Sequence, residues 1–225
     1  MDDERVREQF NALSLEYDSF RRKLIPAFDA FYSAGVDFLS YAGSEPKVLD
    51  VGAGTGIFTA RLLERYPKAT VTLLDFSDNM LEIAQKKFAH NERITYTLGD
   101  YCKTGLGPAQ YDIVISALSL HHLNPEEKRA FFAKVQNSLS EGGEFVNADI
   151  VTNADPELSE CFDKQWITFV RGNIGEGELF DRFLKSKDVD DPSTVEEQLA
   201  WLKDCGFSRA YCLFKYLNFA VIYAR

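Results

Sequence analysis

The stretch from Val48 to Pro67, VLDVGAGTGIFTARLLERYP, places three glycines at alternate positions directly after a short apolar run. Glycine lacks a Cβ atom, so it lets a ligand approach the backbone closely and it adopts positive φ angles in tight turns. Gly52, Gly54 and Gly56 therefore predict a ligand-binding turn at the carboxyl end of a buried strand. A tight turn that binds nothing is the alternative for this motif taken alone.

Two aspartates follow the glycines at the ends of further predicted strands. Asp75 ends TVTLLD, where a carboxylate can accept hydrogen bonds from both hydroxyls of a ribose. Asp100 follows RITYTLG, where a carboxylate can accept a hydrogen bond from an adenine amino group. Because parallel strands end at one edge of their sheet, the glycine turn and the two aspartates predict a nucleoside site.

Two features typical of dinucleotide enzymes do not fit this chain. The fingerprint GxGxxG requires glycine at position 57, where the chain has Ile57. A YxxxK match, Tyr211 to Lys215, resembles a short-chain dehydrogenase pair, which needs one helical turn to bring both side chains together. It lies in a predicted strand, where about 3.3 Å per residue would separate the pair by roughly 13 Å. Dinucleotide chemistry is therefore disfavoured.

The elements that must position these residues follow from periodicity. Residues 10–43 carry apolar side chains at three- and four-residue steps, which predicts amphipathic helices interrupted near Pro26. After a linker at 43–46, strand and helix patterns alternate, which predicts a parallel sheet with helices on both faces. The predicted strands are 47–52, 70–75, 93–99, 111–118 and 144–151, and the predicted helices are 57–66, 77–90 and 124–139.

The C-terminal third departs from this alternation. Residues 153–191 fit neither pattern, and we interpret them as a helical insertion beside the site. The next helix is predicted to begin at Ser193, with Glu196 completing a capping box. SRAYCLFKY and LNFAVIYAR then predict an antiparallel hairpin. The expected organisation is an N-terminal helical cover, 1–43, followed by one α/β domain, 44–225.

Composition limits the classes of partner. The net charge of -10 disfavours nucleic acid and anionic membrane surfaces as partners. The 4 cysteines form no CxxC pair, so we expect no metal site. No signal peptide and no run of membrane-spanning length is recognisable, which predicts a cytoplasmic protein with reduced thiols.

The motifs taken together resemble a known family. VLDVGAGTG resembles motif I of the class I S-adenosylmethionine-dependent methyltransferases, and LLDFSDNMLEIAQKKF resembles their second segment. LGDY, YDIVISALSLHHL and LSEGGEFVNAD are similar to the later motifs, and 201–225 resembles the last helix and hairpin. The resemblance implies a Rossmann-like α/β fold with a seven-stranded, mostly parallel sheet, an antiparallel C-terminal hairpin strand and helices on both faces. It also implies S-adenosylmethionine as cofactor.

The resemblance further implies individual roles. It places the methionine part of the cofactor on Asp50, Gly52, Ala53, Gly54 and Gly56. It places the ribose on Asp75, the adenine on Phe76, Met80, Asp100 and Tyr101, and backbone contacts on Ser116 and Ala117. YDSFRRKLIP resembles the cover helix of small-molecule members, which implies Tyr17 and Arg22 near the donor. One alternative is that Arg21, rather than Arg22, approaches the donor. The other is that these basic residues form a solvated helix face and contact no ligand.

Two histidines are candidates for catalysis. A sulfonium methyl group is already activated, so the enzyme must align a nucleophile behind it and exclude water. His121 and His122 follow the fourth predicted strand, and histidine is suited to accept a proton near neutral pH. We expect one of them to act as a base or to orient the acceptor. The alternative is that both merely close the loop before the next helix.

The acceptor pocket is expected between the cover helix, the histidine loop and the insertion. Its expected wall, for which core packing is the alternative, comprises Phe28, Tyr32, Trp166, Phe169 and Arg171. The leading hypothesis is methyl transfer to a small molecule. There are two alternatives: an enzyme like the carboxy-S-adenosylmethionine synthases, to which the chain has a looser likeness, and a non-catalytic S-adenosylmethionine-binding protein. The negative net charge disfavours a nucleic-acid methyltransferase. A homodimer is left open.

Overall fold

The computed structural model describes residues 18–225, apart from the side chain of Val189. Residues 18–24 are helical, and α1 follows at Phe28–Asp37. The two helical segments are separated at Pro26, where Ala27 adopts a left-handed conformation with φ 55°. Proline fixes its own φ and lacks an N–H, so it interrupts a continuous helix at this point.

A seven-stranded sheet forms the centre of the molecule, in the order β3-β2-β1-β4-β5-β7-β6. All neighbouring pairs from β3 to β5 are parallel, whereas β7 is antiparallel to both β5 and β6. This confirms the mostly parallel sheet with an antiparallel C-terminal hairpin. The strands are β1 Lys47–Val51, β2 Thr70–Asp75, β3 Ile94–Leu98, β4 Tyr111–Ala117, β5 Leu139–Ile150, β6 Ala210–Tyr216 and β7 Phe219–Ala224.

Helices cover both faces of this sheet. Successive residues of a strand point to opposite faces, and Val48 and Leu49 accordingly pack into two different hydrophobic clusters. The helices are α2 Ile57–Arg65, α3 Asp78–Lys87, α4 Pro125–Ser138, α5 Pro156–Ile174, α6 Glu178–Ser186 and α7 Val195–Asp204. Short 3-10 turns occupy Leu120–His122 and Lys187–Val189.

Two predicted element boundaries are wrong. The capping box of α7 is formed by Thr194 and Glu197, one residue later than the predicted pair, because Thr194 both accepts the backbone N–H of Glu197 and donates its own to that side chain. Strand β5 begins at Leu139, five residues before the predicted start at Glu144. Gly142, expected to separate helix from strand, lies inside β5 with φ 73°. The pairing of β5 with β4 is irregular there, shifting register between Tyr111 and Ile113.

The carboxyl ends of β1, β2, β4 and β5 lie at one edge of the sheet, because these strands are mutually parallel. Parallel α/β sheets bind their ligands at this edge. Among residues 18–225, no helix is both long and apolar enough to cross a membrane.

Candidate active site

The glycine turn after β1 contains two kinds of position. Gly52, Gly54 and Gly56 all have positive φ, of 63°, 54° and 75°. A Cβ atom at Gly52 would collide with Ser119, and one at Gly56 would collide with the ring of Phe88. A Cβ atom at Gly54 would meet nothing within 4 Å. Packing within the protein therefore explains the outer two glycines, whereas Gly54 faces open space.

Asp75 joins the loops that follow β1 and β2. The backbone N–H of Gly54 donates to its Oδ2 at 2.8 Å, and the backbone N–H of Ser77 donates to its Oδ1 at 2.8 Å. Each carboxylate oxygen keeps further acceptor capacity after one such bond. The side chain is thus held rigidly by two backbone groups and remains able to accept hydrogen bonds from a ligand.

Asp50 lies beneath the glycine turn. It is 1% exposed, and the Thr59 hydroxyl donates to its Oδ2 at 2.6 Å. Burial raises the pKa of Asp50 to about 7, with the hydrogen bond from Thr59 opposing this rise and the Asp75 carboxylate adding to it. A buried acid whose pKa is raised to near neutrality therefore lies under the turn.

A cavity of about 260 Å³, here named the glycine-loop cavity, opens above these residues. The predicted site residues that line it are Asp50, Gly52, Ala53, Gly54, Asp75, Phe76, Met80, Ala117 and His122. Phe76 is 74% exposed, so its ring is free to contact a ligand. Further lining residues are Arg21, Tyr32, Thr55, Ile57, Phe58, Ser77, Leu118 and Ser119.

Several predicted residues lie outside that lining. Asp100 is tied into the loop after β3, accepting the backbone N–H of Cys102 at 2.9 Å and pairing with Lys103 at 3.0 Å. Tyr101 is buried, with its ring against Phe131 at 5.2 Å between centroids. Gly56 and Ser116 contribute to neighbouring turns and strands instead: Gly56 precedes α2, and Ser116 donates to the carbonyl of Val51.

The structure separates the two candidate arginines of the cover segment. Arg22 pairs with Asp29 at 2.7 Å and lies over the Phe28 ring at 4.3 Å, outside the glycine-loop cavity. Arg21 lines that cavity. Consecutive helical residues point about 100° apart, so one helix presents only one of the two to the site. Tyr17 lies outside the described residues.

A second cavity of about 190 Å³, here named the histidine cavity, adjoins the first. The two share Arg21, Leu118 and His122 in their walls. Leu118 has φ 52°, an uncommon conformation for leucine, at the end of β4. The remaining lining residues are Leu24, Ile25, His121, Ile150, Trp166, Phe183, Ser186, Asp190 and Phe219.

The predicted pocket wall is brought together only in part. Trp166 lines the histidine cavity, and Tyr32 lines the glycine-loop cavity. Phe28 and Phe169 line neither of them. Arg171 is half-exposed and lies 3.7 Å from Glu176, as a surface pair would. The wall is therefore built by fewer residues of α5 than expected.

The two histidines have different surroundings. His121 is 5% exposed, and its Nδ1 lies 2.6 Å from Oδ1 of Asp149, at the end of β5. His122 is half-exposed, and its Nδ1 lies 3.2 Å from Oδ1 of Asp190. The same Asp190 oxygen lies 3.5 Å from Nε2 of His121. His122 borders both cavities, whereas His121 lines the histidine cavity alone.

Sequence reasoning missed both carboxylates. Asp149 carries the same signal as Asp75, an acid at the carboxyl end of a predicted strand. Asp190 has no comparable signal, because it lies in the irregular segment after the Lys187–Val189 turn. Its position next to the histidines depends on how that segment folds back.

Within the described part of the chain, one cluster has the composition of a metal site. One potential ligand atom from each of His121, His122 and Asp190 lies within 4.8 Å of the others. Pairing of the Asp190 carboxylate with His122 at 3.2 Å and with His121 at 3.5 Å accounts for the short distances. The cluster is therefore explained by contacts among its own side chains.

Comparison with known proteins agrees with this architecture. Residues 48–143 match the model of a family described as a methyltransferase domain. A demethylmenaquinone methyltransferase of Leptospira interrogans is 29% identical over an alignment of 235 residues with gaps. The alignment covers 95% of this chain and 87% of that protein. The chain carries a class I S-adenosylmethionine-dependent methyltransferase domain over residues 48–143. It is an enzyme of that class, with S-adenosylmethionine as methyl donor.

Further relatives of this methyltransferase differ in name and length. A carboxy-S-adenosyl-L-methionine synthase of Helicobacter hepaticus is 29% identical over 221 residues, covering 93% of this chain and 90% of that protein. An O-methyltransferase family 2 protein from Planctomyces limnophilus, solved with apigenin, has a TM-score of 0.64 at 18% identity, covering 100% of this chain and 62% of that one. The methyltransferase spans about half the length of several other solved structures that it matches, so these likenesses concern the fold.

The residues of the glycine-loop cavity fit S-adenosylmethionine. The open space beside Gly54 admits a ligand against the backbone, and Asp75 has acceptor capacity for ribose hydroxyls. The exposed ring of Phe76 offers a flat apolar surface for an adenine. A nucleoside with a polar tail matches these three features together.

Proposed function

We propose that this methyltransferase transfers the methyl group of S-adenosylmethionine to a small-molecule acceptor held in the histidine cavity. The observation that carries the proposal is the shared wall of the two cavities, formed by Arg21, Leu118 and His122. Because His122 lines both cavities, a donor in the glycine-loop cavity and an acceptor in the histidine cavity would both lie beside this residue. The name of the demethylmenaquinone methyltransferase relative supports a small acceptor.

Donor binding is assigned to the glycine-loop cavity. Gly52, Ala53 and Gly54 would hold the methionine part, Asp75 the ribose, and Phe76 and Met80 the adenine, with Ala117 at the end of β4 contributing backbone contacts. Asp50 would support the turn from below. Further roles in donor binding stay predictions from the family resemblance; they concern Tyr17, Arg22, Gly56, Asp100, Tyr101 and Ser116.

The acceptor class follows from the lining of the histidine cavity. Its walls are mostly apolar, with aromatic surface from Trp166, Phe183 and Phe219. Polar groups are concentrated at the histidines, Asp190 and Arg21. Such a pocket suits a compact molecule with an apolar body and one polar end, which would face His122.

The chemistry requires alignment, exclusion of water and a place for a proton. S-adenosylmethionine supplies an activated methyl group when bound. An acceptor hydroxyl, amine or acidic carbon loses a proton as it reacts, and an imidazole facing the acceptor can take it. His122 borders both cavities and is proposed for this role, with His121 orienting the loop.

Carboxy-S-adenosylmethionine synthesis is a second candidate. Arg21 borders both cavities and could pair with a carboxylate, and one relative bears the synthase name. Mass spectrometry of the nucleotide that co-purifies with the protein separates the two, because a carboxylated donor is heavier than S-adenosylmethionine. The heavier nucleotide alone would contradict the methyl-transfer proposal.

Calorimetric titration with S-adenosylmethionine, S-adenosylhomocysteine and NAD tests the donor site. We expect micromolar binding of both sulfur nucleotides and no binding of NAD. Binding of NAD alone would overturn the donor-site assignment. A screen of hydroxyl, amine and carbon acids with labelled donor then tests the acceptor class.

As part of the same proposal, the net charge and the free cysteines support a non-nucleic-acid acceptor and a cytoplasmic location for the enzyme. The net charge of -10 supports an acceptor other than nucleic acid or a membrane surface. All 4 cysteines are free, as expected for a cytoplasmic protein. A homodimer stays a prediction, which light scattering of the purified chain would check.

A further inference from the structure

Asp190 faces both histidines but pairs with them unequally. His121 is enclosed between Asp149 at 2.6 Å and Asp190 at 3.5 Å, and it is almost fully buried. His122 has Asp190 at 3.2 Å and keeps about half of its side chain exposed. Of the two, His122 combines a carboxylate partner on one nitrogen with an open border to both cavities.

The segment that carries Asp190 is fixed by the residue that follows it. The backbone N–H of Asp191 donates to the carbonyl of His121 at 2.8 Å. The ammonium group of Lys128, from α4, donates to the carbonyl of Asp191. Both backbone groups of Asp191 are therefore engaged, which fixes Asp190 beside the histidines.

Lys128 is an unusual residue for this task. It is 1% exposed, and its ammonium group donates to a backbone carbonyl rather than to a carboxylate. Burial lowers the pKa of Lys128, while Asp191, Asp149, Glu197 and Glu127 act in the opposite direction. Burying an ammonium group is costly, so a lysine at this position points to a function in holding the Asp190 segment.

Resting on the proposed methyl transfer, we propose that Asp190 is the positioning residue that makes His122 the base of the reaction, and that Lys128 positions Asp190. The arrangement is an acceptor-facing imidazole oriented by a carboxylate, which is in turn oriented by a buried cation.

The path of the proton follows from the hydrogen bond between His122 and Asp190. With Nδ1–H donating to Asp190, Nε2 of His122 carries the lone pair. The acceptor proton passes to Nε2, the acceptor electron pair forms the bond to the methyl carbon, and the pair of the broken S–C bond stays on sulfur. The imidazolium ion is then paired with Asp190, and the exposed edge of His122 returns the proton to water.

The charged groups around His122 come from several elements. Asp190 from the irregular segment and Asp149 from β5 favour the charged imidazole, whereas burial and Arg21 oppose it, and His121 lies alongside. The hydrogen bond to Asp190 is the largest influence, and it raises the pKa of His122. Burial opposes ionisation of Asp190, but His122, His121 and Lys187 together keep its pKa below the usual range.

The decisive test is an NMR titration of the full chain with 15N-labelled histidine. The chain has 3 histidines, so single substitutions assign every signal. In Asp190→Asn we expect the titration midpoint of His122 to fall by about one pH unit or more, since an adjacent opposite charge shifts a pKa by that much. We also expect loss of the Nδ1–H tautomer preference. Asp188→Asn, an exposed change of the same charge in the same segment, is the matched control and should leave both unchanged.

A midpoint and tautomer unchanged in Asp190→Asn would overturn the proposal. The contribution of Lys128 is tested in the same way with Lys128→Met. Lys128→Gln, which keeps a donor for the Asp191 carbonyl, is the second variant in case the first does not fold. We expect Lys128→Met to lower the His122 midpoint, and Lys128→Met with Asp190→Asn to match Asp190→Asn alone. Additive shifts would show that Lys128 does not act through Asp190.

Donor calorimetry on the same samples separates this inference from the proposed function. Intact S-adenosylmethionine binding with an unperturbed His122 midpoint refutes the role of Asp190 and leaves methyl transfer standing. Absent donor binding refutes methyl transfer whatever the histidines do. With an acceptor found, Asp190→Asn should lower kcat with little change in KM, and should move the acid limb of the pH profile to lower pH.

Discussion

The two cavities differ in how the chain builds them. The glycine-loop cavity draws 11 of its 17 lining residues from residues 50–80, a stretch that contains two strand ends and the turns after them. The histidine cavity combines Arg21, His122, Trp166, Asp190 and Phe219, which come from five separate parts of the chain. Backbone geometry thus dominates the first and side-chain packing the second. A local motif predicts a site of the first kind far better than one of the second.

The largest expected effect is on the glycine-loop cavity. Gly54→Val places a branched side chain in the open space and should weaken S-adenosylmethionine binding at least about 100-fold, because the ligand and the side chain would occupy the same volume. Gly175→Val is the matched control, since Gly175 also has positive φ, 73°, and a Cβ atom there would meet nothing within 4 Å. Calorimetry of both variants measures the effect. Equal losses would attribute it to backbone strain, and the His122 titration should be unchanged in Gly54→Val.

A smaller loss is expected at Asp75. Asp75→Ala removes the acceptor for ribose hydroxyls and frees the N–H groups of Gly54 and Ser77, so binding should weaken by about 10- to 100-fold. Asp78→Ala, an exposed acid at the start of α3, should bind as the native chain does. Full affinity in Asp75→Ala would remove the ribose assignment.

Phe76 should contribute less than Asp75. Phe76→Ala is expected to weaken donor binding by about 2- to 10-fold, as for loss of one aromatic contact. Phe38→Ala removes another exposed ring, 59% exposed and outside both cavities, and should have no effect. Equal affinities of these two variants, determined by titration with S-adenosylhomocysteine, would argue against adenine packing on Phe76.

The smallest effect is on stability. The folded-state pKa of Asp50 is about 7 against an ordinary value of 3.8, so the folded state holds the proton more tightly than the unfolded chain. Stability from this group is complete below about pH 4 and is lost as the pH rises through about 7. Asp50→Asn, which cannot ionise, should therefore raise Tm at pH 8 by a few degrees relative to the native chain, with little change at pH 4. Calorimetric scans at both pH values measure this.

Asp204→Asn, at an exposed acid near the end of α7, is the control for that prediction. An identical pH dependence of Tm in Asp50→Asn and the native chain would show that Asp50 is ionised in the folded state. The measurement therefore tests whether the Asp50 carboxyl beneath the glycine-loop cavity keeps its proton up to about pH 7.

The sequence by itself determined the sheet, its mixed topology and the position of the glycine turn next to Asp75. Hydrophobic periodicity and glycine conformation act over a few residues, so the local pattern placed Gly54 and Asp75 at one edge of the sheet. The choice of Arg21 over Arg22 as the lining residue depended on helix rotation, which periodicity alone left open. Even the cap of α7 was displaced by one residue, because Ser193 and Thr194 are equally good caps locally.

Only the tertiary structure decided which groups surround the histidines. Asp190 lies 68 positions after His122 in the chain, and no local signal relates the two. Their contact depends on Lys128 and Asp191, whose hydrogen bonds fix an irregular segment against α4 and the loop after β4. Contacts of this kind arise from packing among distant elements, and a pattern of neighbouring residues carries no information about them.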